Sequence, residues 1–76
     1  MNRRRREELR DVLARLEICR TDIDRALWEE EDSRDNMPEN LEYSEQYEKM
    51  DQAVDALEYA LEDMDSLMKN LEDAIL

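Results

Sequence analysis

Acidic side chains are the most numerous candidates for chemistry in this sequence, and two short clusters have a spacing that could hold a cation. Residues 22–24 (Asp-Ile-Asp) and 63–66 (Asp-Met-Asp-Ser) match the start of a calcium-binding loop. Both lack the glycine and the closing glutamate that such a loop requires. Paired carboxylates can also hydrolyse glycosides, but only in a concave site that separates their two pKa values. We therefore predict no metal ligands and no catalytic carboxylates.

Sulfur and imidazole chemistry is limited by the composition. The sequence has no histidine and a single cysteine, Cys19, so it lacks the Glu-x-x-His ligands of di-iron bundles and cannot form a disulfide within the chain. A reactive thiol needs exposure and a lowered pKa, and we predict instead that Cys19 is buried opposite Leu61. A single thiol without an export signal indicates the cytoplasm. We expect a protein that is not an enzyme and needs no cofactor.

Basic side chains are concentrated at the start of the sequence, where Arg3–Arg6 form a run that could bind phosphate. The first 20 residues carry a net charge of +3 and the remainder −15, within a total of −12. We expect the run to lie beside Asp65, Glu72 and Asp73, which would neutralise part of it. The acidic remainder disfavours direct binding of nucleic acid. A nucleic-acid-associated regulator that uses this arginine cluster stays open as an alternative function.

Hydrophobic periodicity in the second half predicts the first element that must position these side chains. Apolar residues recur there at alternating steps of three and four, which is the pattern of a packed helical seam. Its members are Tyr47, Met50, Val54, Leu57, Leu61, Met64, Met68, Leu71 and Ile75. Ser44 is a suitable N-cap, and Glu45 suits the first turn because the helix dipole favours acids there. We predict a helix over about residues 45–76.

The first half carries a less regular apolar stripe with the same helical period. Its columns of residues seven apart are Leu9, Leu16 and Ile23, then Val12, Cys19 and Ala26, widened by Leu13 and Leu27. Pro38 cannot lie inside a helix, and it disfavours the helical conformation at Met37. We predict a helix over about residues 3–34 and a loop over about residues 35–44. The chain would then be one all-α domain, 1–76, folded as an antiparallel two-helix hairpin.

The register of this hairpin follows from pairing the two apolar stripes. In an antiparallel pair, the numbers of facing residues have a constant sum. A sum of 80 places Leu16 opposite Met64, and a sum of 78 on the flank pairs Arg20 with Glu58 and Arg6 with Glu72. Half of each sum is 39 or 40, which places the reversal of the chain inside the predicted loop. The apolar seam, the flanking charges and the turn therefore predict the same hairpin.

Self-association is predicted from the size of the chain and from one further column. A hairpin of 76 residues encloses little apolar surface, and such small domains commonly need a staple or a partner. Ala53, Ala60, Leu67 and Ala74 lie seven apart beside the second-half seam, and small side chains let another helix approach closely. We predict that this column is the surface on which two copies form a homodimer, arranged as a four-helix bundle.

Two other surface features indicate contact with a second protein. Ala14, Ile18, Thr21, Arg25 and Trp28 form a stripe on the first helix away from the seam. Tryptophan and arginine are preferred interface anchors, although Trp28 could instead pack under the loop against Tyr43 or Tyr47. Residues 29–48 contain nine acids and one base, and such a carboxylate array can imitate a phosphate backbone. The candidate partner-binding residues are Ile18, Arg25, Trp28, Glu29, Glu30, Glu31, Asp32, Asp35, Glu39 and Glu42.

The loop and the second helix resemble a recurring group of small uncharacterised acidic proteins of bacteria, their phages and conjugative elements. The resemblance rests on residues 36–41 (Asn-Met-Pro-Glu-Asn-Leu), on Ser44-Glu45 and on the repeated Ala-φ-Asp/Glu-x-Leu-Glu blocks that follow. It covers residues 36–76 well and the first helix loosely, and Tyr43 stands where the group often has glycine. The resemblance implies a helical hairpin and a mobile-element origin, without an activity or catalytic residues.

These features favour a non-catalytic protein-interaction module. In its sharper form, the module is a phage or mobile-element inhibitor or regulator that presents an acidic, nucleic-acid-mimicking surface to a basic partner. A purely structural bundle protein is a further alternative. We expect no membrane insertion, because no apolar run approaches the ~20 residues that a spanning helix needs.

Overall fold

The computed structural model describes all residues 1–76 as two long helices that pack against each other in a hairpin. Helix α1 spans Arg3–Asp35, helix α2 spans Glu45–Ile75, and a 3₁₀ turn, Glu39–Leu41, lies between them. There is no β-strand, and the Cα atoms extend over 59 × 15 × 13 Å. The predicted all-α hairpin is confirmed.

Both helices begin at a polar side chain that caps the first turn. The Asn2 Oδ1 accepts a hydrogen bond from the Arg5 backbone N–H at 2.9 Å. The Ser44 Oγ accepts one from the Tyr47 backbone N–H at 3.2 Å, which confirms the predicted cap. Each bond satisfies a backbone donor that the helix itself leaves unpaired. The first turn of α2 contains acids and that of α1 contains none, so the dipole of α1 lacks this compensation.

The loop reverses the chain without glycine and without any residue in the left-handed region. The side-chain amide of Asn36 donates to the Asp32 carbonyl at 2.8 Å, at the end of α1. Pro38 is extended, and its carbonyl accepts from the Leu41 N–H at 2.8 Å. Because no position requires positive φ, Tyr43 fits the loop despite its side chain.

The core lies along one column of α2. Val54 is 2% exposed, and Leu61, Met68 and Ile75 are each 8% exposed. The other predicted seam residues of α2 are half-buried: Tyr47, Met50, Leu57, Met64 and Leu71. The three-four pattern of α2 therefore predicted the core-facing side of this helix correctly.

Helix α1 contributes no fully buried residue and faces α2 with a column that alternates arginine and leucine. The half-buried members of this column are Arg6, Leu13, Arg20, Leu27 and Arg34, beside a second column of Leu9, Leu16, Ile23 and Glu30. The prediction that Cys19 and Ala26 belong to the core is wrong, because both are exposed. Leucine side chains and arginine stems cover more apolar surface than a thiol or a methyl group, and they take the facing positions.

Two ion pairs between the helices fix their register. The Arg20 Nε lies 2.6 Å from Asp65 Oδ1, and the Arg34 Nη1 lies 2.9 Å from Asp51 Oδ1. Each pair of residue numbers sums to 85, so the predicted pairing of Arg20 with Glu58 is wrong. On the core columns the same register corresponds to a sum of 84, which is four residues, or about one helical turn, from the predicted 80.

Candidate interaction surfaces

The loop end of the hairpin carries a dense group of uncompensated carboxylates. Of the nine acids in residues 29–48, only Asp35 and Glu45 form ion pairs, with Arg34 at 3.1 Å and Lys49 at 3.2 Å. The seven acids without a basic partner within 4.0 Å are Glu29, Glu30, Glu31, Asp32, Glu39, Glu42 and Glu48. A concentration of one sign of charge at one end produces a field that attracts cationic groups.

Most of the predicted partner-binding residues are exposed. Glu30 and Glu31 differ, because they lie toward α2 and are half-buried. Asp35 forms an ion pair with Arg34, and Arg25 forms one with Asp22 at 3.0 Å, both within α1. The other predicted residues are exposed and form no ion pair, namely Ile18, Trp28, Glu29, Asp32, Glu39 and Glu42.

Trp28 stands on the outward face of α1 and is 66% exposed, with Ile18 on the same face at 64%. Tyr43 in the loop is 93% exposed. The alternative in which Trp28 packs under the loop is therefore wrong. The predicted second stripe of α1 is a water-facing surface along its whole length, because Ala14, Thr21 and Arg25 are exposed as well.

Acids surround the Trp28 side chain on the helix surface. Asp24 precedes it by four residues, and Glu31 and Asp32 follow it by three and four. Residues at these spacings are neighbours on a helix, and none of the three forms an ion pair. An aromatic face attracts a cation through its quadrupole, and adjacent carboxylates add charge-assisted hydrogen bonds. The arrangement suits an arginine or lysine side chain of another molecule.

The arginine cluster at the open end does not pair across the hairpin, contrary to prediction. Arg3 and Arg4 bind Glu7 and Glu8 one turn along α1, at 3.1 and 3.6 Å. Of the expected partners on α2, Asp65 pairs with Arg20, Asp73 pairs with Lys69, and Glu72 has no ion pair. The cause is the register, which places Asp65 level with Arg20 and not with the cluster.

Three arginines near the open end lack an acidic partner. They are Arg5, Arg6 and Arg10, and every other base in the chain forms an ion pair. The Nε of Arg6 is buried without a hydrogen-bond partner. All unpaired arginines therefore lie near the open end, whereas the loop end carries seven unpaired acids and no unpaired base.

One flank of the hairpin is charged. It is lined on α2 by a column of acids seven apart, Asp51, Glu58, Asp65 and Glu72. Arg20 binds Asp65 through two nitrogens, at 2.6 and 3.2 Å. This hydrogen bonding lowers the pKa of Asp65 below its ordinary value and raises the pKa of Arg20. The pKa of Arg34 is raised most by its hydrogen bond to Asp35 and less by its hydrogen bond to Asp51.

Arg6 and Arg20 were predicted as flanking charges, but their place with Arg34 in the core-facing column was not predicted, although a signal for it was present. Arg6, Arg20 and Arg34 continue the seven-residue spacing of Leu13 and Leu27. A search for apolar residues alone skips arginine, whose long aliphatic stem can nevertheless pack on a core.

The opposite flank is uncharged, and the ion pairs define its position. In an antiparallel pair, the α1 column and the α2 column that flank the seam on the same side lie next to each other. Since Asp51 and Asp65 mark one side, the apolar flank consists of Val12, Cys19, Ala26 and Ser33 from α1 with Ala53, Ala60, Leu67 and Ala74 from α2. Leu67 is 47% exposed on it.

The surface contains no pocket, and no three acidic or cysteine side chains converge as metal ligands. Neither helix has an apolar stretch long enough to cross a bilayer.

Comparison with known proteins found no match among protein families, among curated proteins or among solved structures.

Proposed function

We propose that this chain is a non-catalytic protein-interaction module that presents its acidic loop end to a basic protein. The observation that carries the proposal is the group of seven carboxylates without basic partners in residues 29–48. Ion pairs inside the molecule compensate several other acids of the chain. A surface left uncompensated on a rigid scaffold is available for charges supplied by another molecule.

Trp28 gives this surface an apolar anchor. Acid alone attracts any cation, whereas an exposed indole adds a desolvated contact of the kind that dominates interface energetics. With Asp32 on the adjacent turn, the site combines a cation–π face and an ion pair for one arginine or lysine. The proposed partner is therefore a protein with a cluster of basic side chains.

The test is affinity capture from a bacterial lysate with three forms of the protein. The first is the natural sequence. The second reverses the charge of Glu29, Asp32, Glu39 and Glu42 to lysine. The third is a matched control that reverses four exposed, unpaired acids of α2 away from the loop, namely Glu58, Glu62, Asp63 and Glu72.

A basic protein that is retained by the natural form and the control, lost with the loop-end variant and released by salt supports the proposal. The salt dependence follows from screening over a Debye length of about 8–10 Å at physiological ionic strength. Equal retention by the loop-end variant refutes it. Because both variants change the net charge by the same amount, a difference between them reports position and not total charge.

The sharper proposal is that the loop end occupies a nucleic-acid-binding groove, as a phage or mobile-element inhibitor would. It is supported by the spread of carboxylates along one rigid end and by the resemblance of residues 36–76 to acidic proteins of such elements. A captured partner should then lose its DNA or RNA when the hairpin is added. Simultaneous binding of the hairpin and the nucleic acid would restrict the proposal to an ordinary acidic contact.

The unpaired Arg5, Arg6 and Arg10 favour a second candidate, a nucleic-acid-associated regulator. Three uncompensated guanidinium groups at one end can contact phosphates, although the net charge of −12 opposes approach. Fluorescence anisotropy with a labelled duplex at low salt tests it, with all three arginines changed to alanine as the comparison. Absence of binding by the natural sequence removes this candidate.

A further inference from the structure

We infer that the apolar flank is the surface on which a second copy of the chain packs in antiparallel orientation. The flank joins eight residues that belong to two helices and carry no charge, in a molecule in which 45% of residues are charged. The sequence pointed only to its α2 half. The structure adds the α1 half, because Cys19 and Ala26 are exposed on this side and are not part of the seam.

The hairpin leaves more surface uncovered than a compact monomer of its mass. A compact monomer of 9.2 kDa has about 4,900 Å² of accessible surface, whereas this chain has 5954 Å². The excess of about 1,000 Å² compares with about 800 Å² per partner in a stable interface. Two rods that pack side by side remove surface of this size, and four helices can enclose a core that two cannot.

Burial is uneven across the seam of the hairpin. The α2 column next to the charged flank contains the four buried residues, and the half-buried Arg20 and Arg34 lie on the same side. The α2 column next to the apolar flank is only half-buried and consists of Met50, Leu57, Met64 and Leu71. The core is therefore open on the side of the apolar flank, where a second copy would close it.

Charge complementarity between the two ends of the hairpin selects the orientation of the second copy. The loop end carries seven unpaired acids and the open end carries the three unpaired arginines. A parallel dimer would place two acidic loop ends side by side, which is repulsive. An antiparallel dimer places each loop end beside the open end of the other copy. Arg5 lies seven residues before Val12, at the end of the apolar flank, and would there meet the acids of the partner copy's loop end.

The interface is tested by adjacent substitutions on α2. Leu67→Glu puts a charge on the apolar flank, whereas Ser66→Glu puts the same charge on the outer face one residue away. Sedimentation of the natural sequence should give twice the monomer mass of 9.2 kDa. Leu67→Glu should raise the dissociation constant by roughly 100-fold or more, and Ser66→Glu should leave it nearly unchanged. Circular dichroism confirms that both variants remain helical.

A monomeric mass for the natural sequence at 100 micromolar (about 1 mg/ml) or a larger oligomer would overturn the inference, as would a dimer insensitive to Leu67→Glu. These results are separable from failure of the proposed function, because Trp28 lies outside the apolar flank and is 66% exposed on the outward face of α1. Trp28→Ala can lose its basic partner while the dimer persists.

The orientation has its own measurement. Tyr43 is exposed in the loop, so Tyr43→Cys in a Cys19→Ser background carries a spin label at each loop end. An antiparallel dimer separates the two labels by about 60 Å, and a parallel four-helix bundle brings them within about 25 Å. The short distance would overturn the antiparallel arrangement. Arg5→Glu should weaken the antiparallel dimer roughly 10-fold, and Arg4→Glu, on the outer face, should change it little.

Discussion

The two helices have similar lengths but unequal roles in stability. Helix α2 supplies all four buried side chains, on one uninterrupted apolar column. Helix α1 supplies none, and its facing column alternates leucine with arginine. The difference shows that one regular helix can define a core while its partner covers that core with mixed side chains.

Truncation of the core should give the largest effect in this comparison. Leu61→Ala removes a side chain that is 8% exposed and should lower the free energy of unfolding by about 2–4 kcal/mol. Leu16→Ala on α1 removes a half-buried side chain and should cost about half as much. Urea unfolding followed by circular dichroism at one protein concentration measures both. Equal losses would contradict the division of roles between the helices.

Replacement of an arginine in the facing column should have the next largest effect, with the opposite sign. Arg20→Leu continues the leucine column and should raise the urea midpoint, because added apolar burial outweighs a water-screened ion pair. Arg15→Leu is the control, since Arg15 also pairs with an acid, Asp11 at 3.2 Å, but is exposed. A lower midpoint for Arg20→Leu would show that the ion pair contributes more than packing.

The pair of Arg20 with Asp65 predicts a smaller, pH-dependent effect. Hydrogen bonding from Arg20 lowers the pKa of Asp65 in the folded chain below its ordinary value of 3.8. Its contribution to stability is therefore present above pH 3.8 and is lost as the pH falls through the folded-state pKa. The natural sequence should exceed Asp65→Asn in stability at pH 7, and the difference should vanish in acid. Asp63→Asn, at an unpaired acid, should show no such convergence.

The smallest effect on stability is expected on the outward face of α1. Trp28→Ala removes a 66% exposed side chain and should change the free energy of unfolding by less than about 0.5 kcal/mol. A loss well above 1 kcal/mol would mean that the indole packs on the hairpin. The same variant should weaken capture of the basic partner, so stability and binding separate at this residue.

The regular parts of the fold were predictable because their signals are local. The alternating steps of three and four from Tyr47 to Ile75 identified the core-facing side of α2. Ser44 and Pro38 fixed the start of α2 and the loop, because capping and proline geometry act over a few residues. The stripe of α1 that contains Ile18 and Trp28 was likewise predicted from spacing alone, although only the structure shows that its side chains are exposed.

The register was not predictable in the same way. The apolar pairing agreed with a sum of 80 and the flanking charges with a sum of 78, yet the ion pairs of Arg20 and Arg34 correspond to a sum of 84 on the core columns. Two apolar stripes with seven-residue repeats face each other again after one helix is shifted along the other by a few residues. The patterns alone therefore discriminate weakly between registers. The register also depends on the 3₁₀ turn in the loop, which sets the position of the start of α2 relative to the end of α1. The conformation of this turn depends on backbone geometry.

Two helices, their turn and the apolar side of α2 follow from the amino-acid sequence alone, because helical period, caps and proline act through neighbouring residues. The exposure of Cys19, the arginines in the seam and the uncharged flank follow only from the packing of the two helices. Those outcomes depend on which side chains meet across the hairpin. That choice is made by the competition of long and short side chains for the same core surface.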